Sequence, residues 1–212
     1  MVNKSANKAF KPCVQKACTH WDQANSSLGP LTGRYVRIKM KNILIPLLLI
    51  YGTNASAITI EGNSKYKTQV KKCLKLLSIK ARTEYRLVKK HIGVIYQSDK
   101  SGMNAWENPP RYLMSDRTAF YSITWCASTI AHDAYHSYLY QKYKPSNSKK
   151  TPYDKWGGFK AEKEAIKYQE KVMKKIGSSN HEINYLKKLD GTHGDYNKDG
   201  KLDSTDYKKR NW

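Results

Sequence analysis

Acidic side chains are scarce in this chain: 17 Asp and Glu stand against 39 Lys and Arg, a formal net charge of +22. Such a deficit disfavours cationic partners and suits anionic ones, among them nucleic acid, anionic lipid and cell-wall polymer. The lysines come without any RNA-binding, helix-turn-helix or zinc-finger pattern. They are spread along helix-like stretches, Lys71, Lys72 and Lys75 in one and Lys167, Lys171, Lys174 and Lys175 in another, and read as solvated helix faces. The apolar run from Ile43 to Ile50 falls far below the ~20 residues that cross a bilayer, which argues against a permanent membrane anchor. Cysteine is sparse, with four in 212 residues, so any disulfide framework is small.

What is present describes a folded protein. A 39% hydrophobic fraction and 16 tyrosines supply a core, and the length suits one domain rather than two.

The clearest organisational signal is internal. In MKNILIPLLLIYGTNASA a basic head, Met40 and Lys41, precedes the apolar run and then Ala55-Ser56-Ala57. This is the layout of a signal peptide cleaved after Ala57, which places the biological start at Met40 and residues 1–39 upstream of it. The alternative is a genuine N-terminal extension with a buried strand at 43–51. Loss of residues 1–57 removes eight basic residues and one acidic residue, leaving 31 against 16, or +15. The exported chain is then still basic and keeps only Cys73 and Cys126, as one disulfide or as two buried thiols.

Local pattern predicts a mostly helical single α+β domain over residues 58–190, with a small antiparallel sheet. Ile58-Thr-Ile-Glu-Gly alternates like a short strand. YKTQVKKCLKLLSIKA repeats apolar residues at helical spacing, and Tyr85, Val88, Ile92 and Ile95 predict a second helix from Arg82 to Gln97. SGMNAWENPPRYLMS, with Asn108-Pro109-Pro110 at its middle, reads as strand, turn, strand. Helices are expected from Thr118 to about Tyr143, from Phe159 to Ile176 with Gly177 as C-cap, and from Glu182 to Leu189.

The chemistry centres on AHDAYHS. On a helix, His132 and His136 project from one face, so both imidazoles aim at one point, with Asp133 beside it. The pattern approaches H-E-x-x-H, in which the acid polarises water on zinc. A catalytic zinc takes three protein ligands, and in the zinc peptidases called gluzincins the third is a glutamate on the next helix. Glu162, Glu164 and Glu170 are the candidates. Ala165, Ile166, Gln169, Val172, Met173 and Ile176 form the apolar stripe of that helix; Glu162 falls inside it and Glu164 nearly opposite. A carboxylate on a buried face is costly unless paired or bound to metal, which selects Glu162.

From about Ile58 to Trp212 the chain resembles small secreted gluzincin-like metallopeptidases, the minigluzincins. The resemblance rests on WCASTIAHDAYHSYLYQ followed by the EKEAIKYQEKVMKKIG helix. It implies zinc on His132, His136 and Glu162 and a general base at Asp133, where the family generally has Glu. It also implies a substrate-pairing edge strand, for which Gly102 to Trp106 is the place, and an oxyanion donor, for which His181, Tyr185 and His193 are candidates.

Residues 191–212 hold a second pattern. Asp195, Asn197, Asp199, Asp203 and Asp206 occupy positions 1, 3, 5, 9 and 12 of a twelve-residue loop. Gly200 sits at position 6, and Lys201 at position 7 offers its carbonyl. That is an EF-hand-type calcium loop. Asp206 at the last position makes it similar to dockerin loops, although dockerins carry two.

Together these features predict a secreted or periplasmic, monomeric zinc peptidase with calcium as a structural ion. The rival is a non-catalytic basic module that binds anionic envelope polymer or nucleic acid. A cohesin-like partner of the C-terminal loop is a third reading.

Overall fold

The computed structural model describes residues 57–147 and 150–209, and these belong to one compact unit. The start at Met40, the extension 1–39 and the body of the leader 40–57 lie outside the described residues. Asn63 caps the first helix: its side chain accepts the Tyr66 amide at 2.9 Å. Helix α1, Ser64–Lys80, follows the short strand β1, Thr59–Glu61, and buries Tyr66, Val70, Cys73, Leu74 and Leu77 along one side.

The next helix is shorter than its periodicity predicts. Helix α2 covers Arg82–His91, Ile92 is already extended, and Val94–Ser98 forms strand β2. Val94, Ile95 and Tyr96 favour a pleated, half-buried surface, and Gly93 makes the change of direction. A Cβ on Gly93 would lie 2.2 Å from Cβ of Pro109, so only glycine lets the two turns meet.

Strands β3, Gly102–Asn104, and β4, Arg111–Ser115, complete a four-stranded sheet of order β1-β2-β4-β3. The sheet is mixed, which corrects the antiparallel expectation. β1 pairs parallel with β2 and β2 with β4; only β3 and β4 are antiparallel. The α1–α2 connection is a crossover of the kind that returns a chain parallel, whereas β3 and β4 are joined by a short turn. Among the described residues β1 and β3 are the two edges of the sheet.

Helix α3, Asp116–Tyr121, and helix α4, Ile123–Lys142, replace one expected continuous helix. Ser122 breaks it: the residue is extended, and its hydroxyl accepts the Trp125 amide at 2.8 Å as an N-cap. Helix α4 is the centre of the molecule, against α1, α2 and α6. A disulfide between Cys73 and Cys126 ties α1 to α4 and settles the cysteine alternatives.

Beyond the turn α5, Tyr153–Trp156, helix α6 runs Phe159–Ile176 and stops at Gly177, which adopts φ 79°. Helix α7, Asn180–Lys187, starts in a capping box of Ser179 and Glu182, and α8 covers Ser204–Lys209. Among the described residues no helix is long and apolar enough to cross a membrane.

Candidate metal centre

Helix α6 packs its stripe of Ala161, Ala165, Ile166, Gln169, Val172, Met173 and Ile176 inward, and Gln169 donates to the Ser128 hydroxyl of α4 at 3.1 Å. This packing fixes the rotation of α6, so Glu162 in its first turn faces α4. There it meets the two histidines. His132 Nε2 and His136 Nε2 are 3.0 Å apart, Glu162 Oε1 lies 3.4 Å from His132 Nε2, and Glu162 Oε2 lies 3.1 Å from His136 Nε2. Two atoms each about 2.0–2.2 Å from a tetrahedral cation stand roughly 3.3–3.5 Å apart, so the donor set fits a small divalent ion. Among the described residues it is the one group of three such side chains whose ligand atoms gather within 4.8 Å.

The sequence choice among the glutamates holds in space. Glu170 pairs with Lys174 at 2.8 Å, and Glu164 lies near Tyr135; neither joins the group.

Electrostatics and outer contacts prepare the donors. Burial by itself would raise the Glu162 carboxyl, but the charge of His132 and hydrogen bonds from both histidines hold it well below the usual carboxylate range. His136 Nδ1 lies 2.6 Å from the Trp156 carbonyl oxygen. A carbonyl only accepts, so Nδ1 carries a proton, and in the neutral ring, the form that binds a cation, the Nε2 lone pair faces the site. The sequence gives no sign of this contact, because it depends on α5 folding back beneath α4.

The triad opens into a cavity of about 570 Å³. Asp133 lines it, half-buried, and its charge acts on the buried Tyr112 hydroxyl of β4. Burial and the Asp133 charge together push the Tyr112 hydroxyl well above its ordinary value, so it stays a proton donor. Gly102 and Met103 of the edge strand form part of the wall, where the sequence placed a substrate-pairing strand.

The three oxyanion candidates separate here. His193 Nε2 lies 3.7 Å from Glu162 Oε1. His181 and Tyr185 line the same cavity from α7, and Tyr185 lies against Trp125, two turns of α4 before His132. His193 is the one beside the triad.

Gly191, at φ 97°, turns the C-terminal segment past the start of α6; a Cβ there would lie 2.9 Å from the Phe159 carbonyl oxygen. In the twelve-residue loop, Asp195 accepts the amides of Asp199 and Gly200 at 3.2 and 3.0 Å. Asn197 accepts Asp199 N, Asp199 accepts Lys201 N, and Asp203 accepts Thr205 N. Asp206 is buried and accepts Tyr196 N at 2.8 Å and Asp203 N at 3.0 Å. The loop is folded on itself, and among the described residues its carboxylates are not drawn together as the triad is. Comparison with protein-family models, with curated proteins and with solved structures found no match to the chain.

Proposed function

We propose that this protein is a secreted zinc-dependent peptidase of gluzincin type. The observation that carries the reading is the convergence of His132, His136 and Glu162 with 3.0, 3.1 and 3.4 Å between neighbouring ligand atoms. Buried histidines and a carboxylate held this closely need either a shared proton or a cation, and in this reading a cation takes the place of the proton between the two Nε2 atoms and Glu162. Zinc held by these three residues supplies Lewis acidity that activates water and polarises a peptide carbonyl.

The remaining roles fall to the chain itself. Asp133 accepts the proton of the attacking water and returns it to the departing amine, as a C–O bond forms and the C–N bond breaks. His193, beside Glu162, donates a hydrogen bond to the developing oxyanion. The edge of β3 offers backbone groups to an extended peptide.

Calcium is the structural ion in this reading, held by Asp195, Asn197, Asp199, the Lys201 carbonyl, Asp203 and Asp206. It orders the segment that carries His193. Calcium is expected to raise the Tm of the wild type and to leave that of Asp199→Ala unchanged.

Metal analysis of the purified protein, with a peptide-library digest and His132→Ala as control, tests the whole. Stoichiometric zinc with cleavage that the variant loses supports it; absence of zinc defeats it. The exposed lysines of α1 and α6 favour one other reading, a basic module for anionic polymer. That reading predicts salt-dependent retention on a polyanion unaffected by His136→Ala.

A further inference from the structure

The cavity has a second end. Of all the lysines and arginines in this basic chain, Arg117 alone lines it among the described residues, exposed and with no acidic partner. Arg117 and Tyr121 lie four residues apart on α3, and His181 and Tyr185 lie four apart on α7. Each rim helix therefore presents a basic residue and an aromatic one on one face. Trp125 joins them: its ring centroid is 5.6 Å from that of Tyr121 and 5.7 Å from that of Tyr185. The two nearby acids are engaged elsewhere: Asp116, next to Arg117, accepts from Gln97 at 2.8 Å, and Glu182, next to His181, is held by Ser122, Thr124 and Ser179.

Direction follows from the sheet. Ser101, at the start of β3, hydrogen-bonds Thr118 of α3 at 2.8 Å, so α3 stands at the beginning of the edge strand. A peptide added antiparallel to β3 points its C-terminal end toward Arg117; a parallel one would bring its N-terminal ammonium there, against the guanidinium. Trp125 precedes His132 by seven residues of α4, or about 10 Å at 1.5 Å per residue. That span equals about three residues of extended chain at ~3.3 Å each.

Resting on the peptidase reading, we propose that Arg117, with His181 on the other rim helix, anchors a carboxylate about three residues to the C-terminal side of the cleaved bond, over the aromatic floor of Trp125. The carboxylate belongs either to the substrate's C-terminus or to an Asp or Glu side chain. Arginine suits it, since its planar fork matches a carboxylate with two parallel hydrogen bonds.

The test uses zinc-loaded full-length protein and N-acetylated peptides in three forms: free C-terminus, C-terminal amide, and amide with Glu at the third position after the cleaved bond. Cleavage is read as kcat/KM and binding as Trp fluorescence with Asp133→Asn. The free acid or the Glu peptide is expected to exceed the plain amide by tenfold or more. Arg117→Ala abolishes that ratio, and Arg117→Lys keeps part of it. Preference for the free acid alone identifies a C-terminal anchor; preference for both identifies a side-chain pocket. Equal cleavage of all three overturns the anchor and leaves the peptidase reading intact. Carboxylate-dependent binding without cleavage by the wild type overturns the peptidase reading and leaves the anchor. Absence of both kinds of discrimination overturns the anchor.

Discussion

His136 and Trp156 are joined by a 2.6 Å hydrogen bond from the imidazole Nδ1 to a backbone carbonyl, and this bond decides which nitrogen faces the cleft. The carbonyl stays in place because the Trp156 ring is buried edge-on against Trp106, Tyr140 and Tyr153. Trp156→Ala removes that support without touching a ligand. Zinc affinity is expected to fall about 10–100-fold, the usual effect of losing an outer partner of a metal-bound histidine. Competition with a chromophoric chelator measures it, and an unchanged affinity contradicts the role given to α5.

Asp133 lines the cavity without belonging to the triad, so it can be altered independently of the metal. Asp133→Asn is expected to keep stoichiometric zinc and to lower kcat by roughly 10²–10⁴-fold, the range of a general base. Equal loss of zinc would assign Asp133 to metal binding instead.

The Cys73–Cys126 bridge spans 53 residues. Closing a loop of that length in the unfolded chain contributes about 4 kcal/mol in the chain-entropy treatment. Reduction, or a Cys73→Ser/Cys126→Ser double variant, is therefore expected to lower the urea midpoint markedly. A midpoint insensitive to reductant would mean that the bridge does not form in solution.

Glu84 is buried on α2 and accepts a 2.6 Å hydrogen bond from Lys175 of α6, with Lys171 at 3.4 Å. Burial acts to raise its carboxyl, and the two lysines outweigh that and hold it below the ordinary 4.5. A depressed folded value contributes stability that is complete above about pH 4.5 and is lost as pH falls through the folded value. Glu182, lowered by Ser122, Thr124 and Ser179 against its own burial, acts in the same direction. Glu84→Gln is expected to lower Tm at pH 7 and to flatten its fall on acidification. An unaltered acid slope in thermal melts would remove Glu84 from this role.

Much of the site was legible in the sequence because helical periodicity carries it. The spacing of His132 and His136 needs only a helix, and the inward face of α6 separates Glu162 from Glu164 and Glu170 without any tertiary knowledge. Periodicity also misled. Ile92 and Ile95 continue the α2 stripe numerically, yet the chain turns extended at Ile92 because the sheet wants Val94, Ile95 and Tyr96. The break at Ser122 is a cap signal inside a run that otherwise looks continuous. What the sequence could not give depends on segments meeting in space: the Trp156 carbonyl under His136, Tyr112 and Asp133 lining one cavity, His193 beside Glu162, and Arg117 at the far end of that cavity. The parallel pairing of β1 and β2 belongs to the same class, since a strand does not carry its partner's direction.

Zinc-edge X-ray absorption on the purified wild type and on Glu162→Ala tests the central claim most directly. The wild type is expected to show one equivalent of zinc with two imidazole nitrogens and a carboxylate oxygen at about 2.0–2.2 Å, and Glu162→Ala to lose the metal or one oxygen neighbour. A wild type without zinc, or an identical spectrum in the variant, contradicts it.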